Sequence, residues 1–146
     1  MRPSGRVCLD SFAWLAWLQS EPAAAIVQEH LDRAERDHAP CLMSLINLGE
    51  IYYCLARLKR RDEADRLWRD AVRGVLPVRV IPVTVPRVRR AAAWKARFAI
   101  AYADAFAVAT AVEFRAALVT GDPEIKQLEK EKEAPPIIWL PQGGKR

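Results

Sequence analysis

Apolar residues along the chain fall into short unbroken runs, separated by longer stretches in which they recur at every third or fourth position. Unbroken runs suit buried strands, and the longer spacing suits amphipathic helices. Val7, Cys8 and Leu9 form a run that stops at Asp10, after which Phe12, Trp14, Leu15, Trp17 and Leu18 recur at helical spacing. Pro22 suits the first turn of a second helix over 23–36, with Ile26, Val27 and Leu31 on one face, and Pro40 ends it. A second strand is predicted over 41–43. Ser44 then opens a third helix running to about residue 60, and Asp62 is placed to cap a fourth that carries Ala64, Leu67, Trp68, Ala71 and Val72.

Residues 78–85 alternate in β-branched fashion, but Pro82 among them predicts a short or edge strand that stops there. Helical spacing returns over 87–98 and again over 103–115, a segment rich enough in Ala to pack closely on a sheet. Residues 117–120 read as a strand ending at Gly121-Asp122-Pro123, 124–133 as a short charged helix, and 137–140 as a last strand. Strands alternating with helices throughout predict an α/β fold, a mostly parallel five-stranded sheet covered on both faces by about seven helices. Leu48-Gly49-x-x-Tyr52 and the following helix resemble one tetratricopeptide hairpin, but no second copy exists and the segment reads as a local helix pair. No linker divides the chain, so residues 1–141 are expected to form one domain and 142–146 a short flexible tail.

The 146 residues are 51% hydrophobic and 28% charged, which excludes a disordered chain and allows a core without disulfide or metal staples. The apolar stretch 100–112 is broken by Asp104 and falls short of the ~20 residues of a membrane span. The first ten residues hold two Arg and no apolar core of a secretory signal, so a cytoplasmic location is expected. Cys8, Cys41 and Cys54 are an odd set without CxxC spacing and read as buried free thiols. His30 and His38 lie among polar neighbours without ligand spacing, which argues against a zinc site.

In open α/β sheets, ligands bind beyond the carboxyl ends of the strands. Asp10 ends the first strand, Asp122 ends the fourth, and Asp104 opens the Ala-rich helix. Glu50 lies about two turns into the third helix, on an otherwise apolar side with Ile46, Tyr53 and Cys54. Each aspartate alone also fits a helix N-cap, and Asp122 before Pro123 fits one well. Capping accounts for each position but not for their convergence. Ser or Asn would cap as well, whereas acids grouped at one rim repel each other unless a cation or a proton joins them. Glu124, two residues further on, could also face the rim, but a first-turn Glu is a common partner of a helix dipole and that reading is preferred.

The ordered set of strand-Asp10-Ser11, Ser44-x5-Glu50, Tyr102-x-Asp104-Ala105 with Ala109-Thr110-Ala111, and Leu118-Val119-Thr120-Gly121-Asp122 resembles the PIN-domain family, especially its VapC-type toxin ribonucleases. The likeness runs from Val7 to Leu140, with acid spacings of 40, 54 and 18 residues. Phe12 departs from it, standing where many members carry a small polar residue, and leaves the four acids untouched. The resemblance implies a PIN-like three-layer α/β/α sandwich and a metal-dependent endoribonuclease. It makes Asp10, Asp104 and Asp122 ligands of Mg²⁺ or Mn²⁺, and Glu50 either a ligand through water or the group that orients the attacking water. An all-carboxylate set suits such hard ions, whether one or two act. Ser11, Ser44 and Thr120 are candidates for hydrogen bonds that orient the acids, with simple helix capping favoured for Ser44.

The resemblance further implies an RNA substrate, a cognate antitoxin, and a homodimer or a hetero-oligomer with the antitoxin. Basic clusters at 57–61, at 87–90, and at Lys95 and Arg97 are the expected places for RNA phosphates. The chain carries 23 Lys+Arg against 18 Asp+Glu, +5 in all; with the four acids set aside as metal-facing, 14 acids remain and the rest of the molecule is +9. Tyr52, Tyr53 and Trp68 offer a helix pair that suits partner binding, and a non-catalytic binding module built on it is the competing reading. A phosphoacceptor receiver domain fits least, since Asp10 stands alone after the first strand and 80–85 contain no Asp.

Overall fold

The structure, a computed structural model, describes residues 5–19 and 22–141. The tail expected over 142–146 lies outside the described residues. Five strands, β1 (Val7–Leu9), β2 (Cys41–Ser44), β3 (Val78–Ile81), β4 (Ala117–Thr120) and β5 (Ile137–Trp139), lie in the order β3-β2-β1-β4-β5. Every pairing is parallel, so the sheet expected to be mostly parallel is wholly so. Six α-helices connect them: α1 (Ser11–Leu18), α2 (Ala24–Arg36), α3 (Leu45–Arg57), α4 (Arg61–Val72), α5 (Val85–Arg97) and α6 (Tyr102–Glu113). A 3₁₀ helix, Pro123–Leu128, follows β4.

The strands are unbroken apolar runs because both faces of the sheet are covered. Val7, Leu9, Cys41, Met43, Val78 and Val119 pack with α1, α2, α3 and α4 on one face. The alternate residues Cys8, Leu42, Ile81 and Leu118 pack with α5, α6 and the 3₁₀ helix on the other. In α6 the residues from Asp104 to Ala111 are all buried, which the small Ala side chains permit by letting the helix approach the strands closely.

Several boundaries differ from the sequence pattern, each for a local reason. β3 stops at Ile81, before Pro82, as expected, but α5 begins at Val85, earlier than its helical spacing predicts, because Thr84 caps it, its hydroxyl accepting from the Arg87 amide at 3.3 Å. Asp62 does not cap α4. Arg60 occupies that place without a side-chain cap, while Asp62 and Glu63 lie in the first turn, where the helix dipole favours acids. Asp104 does not cap α6 either: Ala101 holds the N-cap position, and Asp104 is the third helical residue. The charged helix expected over 124–133 is reduced to the 3₁₀ helix. Cys8 and Cys41 are buried as expected, but Cys54 is only half-buried.

From β1 the chain builds outward through β2 and β3 on one side, then returns to lay β4 and β5 on the other. The strand order therefore reverses between β1 and β4, and the crevice beyond their carboxyl ends is the place where such sheets bind ligands. β1 delivers Asp10 there and β4 delivers Thr120 and Asp122. Leu118 in the middle of β4 is fully buried among the residues that fix this edge. Leu118→Ala is expected to lower unfolding stability by about 2–5 kcal/mol, read from the urea midpoint, with a change under about 1 kcal/mol counting against this packing.

Candidate metal centre

Three helical segments begin at the crevice, and each brings acids to it. Asp10 caps α1 with one oxygen, Oδ1 accepting from the Ala13 amide at 2.9 Å. Asp122 caps the 3₁₀ helix, its Oδ1 accepting from the Glu124 amide at 3.0 Å. Asp104 projects from the first turn of α6. Glu124 reaches back to the same helix start, its Oε1 accepting from the Ala101 amide at 3.1 Å.

Among the described residues, Asp104, Asp122 and Glu124 each bring a carboxylate oxygen within 4.8 Å of the other two. Asp10 and Asp104 are buried, and the Oδ2 atom of each has no hydrogen-bond partner among the described residues. An unpartnered buried carboxylate oxygen is costly. A hard divalent cation supplies what is missing, and an all-oxygen donor set is what Mg²⁺ or Mn²⁺ selects. The residues therefore fit such an ion.

Without a cation, the acids are held together by protons. Burial raises the pKa of Asp10 to about 7, opposed by hydrogen bonds from the Thr120 hydroxyl and the Ala13 amide, while the charges of Asp122 and Glu50 raise it further. Burial also raises that of Asp104 strongly, and the adjoining Asp122 carboxylate, by hydrogen bond and by charge, adds to the rise. Asp10 and Glu124 push in the same direction.

Of the expected site residues, Asp104 and Asp122 fall in the tight group with Glu124, and Asp10 lies outside it at the same crevice, close enough for its charge and that of Asp122 to act on each other's surroundings. Glu50 stands apart from the tight group, half-buried on α3, near enough for its charge to act on Asp10. Its side of α3 is not apolar: Tyr53 is exposed and Cys54 half-buried, so it faces the open rim. Ser44 caps α3, its hydroxyl accepting from the Ile46 amide at 3.2 Å. The Thr120 hydroxyl also accepts from the Asp122 amide at 3.0 Å, linking the two aspartates. Ser11 meets Asn47, whose Nδ2 donates to the Ser11 hydroxyl and to the Ala103 carbonyl, both at 3.1 Å.

Asn47 was not foreseen as part of this site. It is fully buried and ties the starts of α1 and α6 to α3; the available signal was a polar side chain in the apolar run 45–48, one turn before Glu50. Glu124, for which the dipole role is preferred over facing the rim, joins the cluster: its Oε1 accepts from the Ala101 amide at the start of α6, which brings its carboxylate beside Asp104 and Asp122.

The expected phosphate-binding clusters are neutralised in part. Arg87 forms paired bonds to Glu113 at 3.0 and 3.1 Å, with Arg90 on the same carboxylate. Arg97 bridges Glu131 at 2.6 Å and Glu133 at 3.1 Å. Arg60 is clamped on Glu63, and Lys95 donates to the Ile100 carbonyl at 2.7 Å. A cleft of about 480 Å³ between α5 and α6, lined by Arg90, Trp94, Arg97, Val112 and Glu133 among others, contains none of Asp10, Glu50, Asp104, Asp122 and Glu124.

A family model described as "PIN domain" matches residues 7–131. No curated protein sequence matches the chain. Among solved structures, VapBC2 from Rickettsia felis bound to a fragment of its promoter DNA aligns with a TM-score of 0.67 at 15% identity, covering 92% of this chain and 98% of that one. A DNA-bound VapBC from Salmonella typhimurium aligns with a TM-score of 0.63 at 14% identity, covering 91% and 96%. A toxin-antitoxin complex from Klebsiella pneumoniae aligns with a TM-score of 0.62 at 14% identity, covering 92% and 96%. At these identities the likeness is one of fold.

Because Asp10 and Asp104 hold protons more tightly when folded than when unfolded, the metal-free protein loses stability as pH rises from the ordinary carboxylate range through their raised values. Between about pH 5 and about pH 9, the melting temperature of the metal-free protein is expected to fall relative to that of Asp104→Asn. Millimolar Mg²⁺ should close the gap, and more so at the upper end, where protons no longer compete for the ligands. A gap that does not move with pH would refute this account of the site.

Proposed function

The chain belongs to the PIN-domain family, and on that premise we propose that it is a VapC-type toxin, a metal-dependent endoribonuclease held inactive by a cognate antitoxin. The observation that carries the reading is the convergence of Asp104, Asp122 and Glu124 at the sheet crevice beside the unpartnered oxygens of Asp10 and Asp104. PIN domains are generally nucleases, and helix capping accounts for one oxygen each of Asp10 and Asp122 but not for the buried Oδ2 atoms of Asp10 and Asp104.

Asp10, Asp104, Asp122 and Glu124 would hold Mg²⁺ or Mn²⁺. When bound, such an ion polarises a phosphoryl oxygen and lowers the pKa of a water, supplying a nucleophile at neutral pH. The protein's own residues do the positioning. Asp10 and Asp122 are fixed by the amides they cap, and the Thr120 hydroxyl spans both. Asn47 and Ser11 keep α1, α3 and α6 in register, which holds Asp10 and Asp104 at constant separation. Glu50, on the open side of the rim, is placed to accept a proton from an attacking water or to orient it.

Residues 1–141 would form the nuclease domain, acting in the cytoplasm; among the described residues no helix is long and apolar enough to cross a membrane. The three solved structures described above are toxin-antitoxin complexes, which supports an antitoxin partner. Trp68 and Val72 on α4 and Val75 just beyond it are exposed large apolar side chains and suit that contact or a homodimer.

Asp104→Asn keeps the shape of the side chain while removing its charge. It is expected to abolish Mg²⁺-dependent cleavage of single-stranded RNA, followed on denaturing gels, while leaving the circular dichroism spectrum unchanged. RNA cleavage that needs no metal and survives this substitution would overturn the reading.

A further inference from the structure

Along α3, Glu50, Tyr53 and Arg57 stand three and four residues apart and therefore line one side of the helix. The upper end of this stripe is Glu50, whose charge reaches Asp10. The Tyr53 hydroxyl lies beside the Glu50 carboxylate, and its ring is 46% exposed. The Arg57 guanidinium stacks over that ring at 4.9 Å from its centroid. Arg57 itself is exposed and forms no ion pair among the described residues, unlike Arg60, Arg87, Arg90 and Arg97.

An exposed aromatic ring with a guanidinium stacked on it, leading away from a carboxylate centre, has the chemistry of a single-stranded nucleic acid platform. Bases stack on aromatic and guanidinium planes, and a free cation takes the adjoining phosphate. Arg57 lies about 10 Å along the helix from Glu50, within reach of nucleotides that flank a bond held at the acids. An antitoxin segment would call for a wider apolar surface, which Trp68, Val72 and Val75 offer around α4.

We propose that the Tyr53–Arg57 stripe is the subsite for the RNA strand flanking the cut, with a base stacked on Tyr53 and a backbone phosphate on Arg57. The assignment rests on the endoribonuclease reading. It gives a use to Arg57, the basic residue of α3, which stacks on Tyr53 on the side of Glu50 and has no ion pair among the described residues.

The test uses the full chain and a fluorescein-labelled single-stranded RNA of mixed sequence, with binding read by anisotropy in EDTA and cleavage by initial rates in Mg²⁺. Tyr53→Ala is expected to weaken binding about tenfold or more and to raise KM in proportion, with the loss carried by KM rather than kcat. Tyr53→Phe, which keeps the ring, should recover the affinity. Arg57→Ala should weaken binding several-fold and reduce the slope of log affinity against log salt by about 1. Arg97→Ala, in an arginine already paired with two acids, should bind as wild type. If wild type cuts RNA while Tyr53→Ala keeps the wild-type affinity and KM, the stripe is not the subsite although the nuclease reading stands. A loss confined to kcat, or a change in self-association on size exclusion with RNA affinity intact, overturns the subsite equally. If wild type neither binds nor cuts RNA, the nuclease reading itself fails.

Discussion

Buried carboxylates tolerate one another only when a proton or a cation joins them, and the rest of this molecule is arranged around that constraint. Asp10 and Asp104 are both buried, and both lie close to Asp122. Removing such groups from water raises their pKa, and mutual repulsion raises it further. A fold selected for stability alone would place Ser or Asn at these helix starts. The crevice instead accumulates negative charge at the point where the sheet order reverses, and the two faces of the sheet are packed tightly enough to keep it from relaxing outward.

Helix geometry makes this concentration of charge tolerable. α1, α6 and the 3₁₀ helix all begin at the crevice, so the unpaired amides and positive dipole ends of the two α-helices point towards the acids. Asp10 and Asp122 serve as caps and site acids at once. Each uses one oxygen on an amide, and for Asp10 the other is left without a partner. Capping and metal binding, which compete as explanations when each residue is taken singly, are thus two uses of the same carboxylate. Asn47 completes the arrangement by fastening three helices to each other with one buried amide group.

Much of this was legible in the sequence because it depends on period and order. The strands were found as apolar runs, since a parallel sheet covered on both faces requires them. Asp10 and Asp122 were found because they end such runs. Asp104 was placed at the crevice but assigned the wrong helical position, because Ala101 and Tyr102 carry no start signal and the backbone turned three residues earlier. Glu124 was set aside because a first-turn acid is accounted for by the helix dipole, and its contact with the Ala101 amide, 23 residues away, arises only from tertiary packing. Asn47 could not be placed, since its partners Ser11 and Ala103 are 36 and 56 residues away and only tertiary packing brings them near. Asp62 failed as a cap because Arg60, clamped on Glu63, already holds the helix start.

The charge balance takes on a different meaning once the pairings are known. Counted from the sequence, a +9 remainder surrounds a −4 site, which suggests a uniformly phosphate-attracting shell. In the folded protein, Glu113, Glu131 and Glu133 hold Arg87, Arg90 and Arg97 in surface pairs. Such pairs add little stability, but they cancel the local field where they stand. A phosphate chain meets strong attraction only where a cation lacks an acid and where the carboxylates are themselves neutralised by a bound divalent ion, whose charge outweighs any single side chain. The distribution of paired and unpaired basic residues, rather than the excess of base over acid, therefore sets the local field that a polyanion would meet.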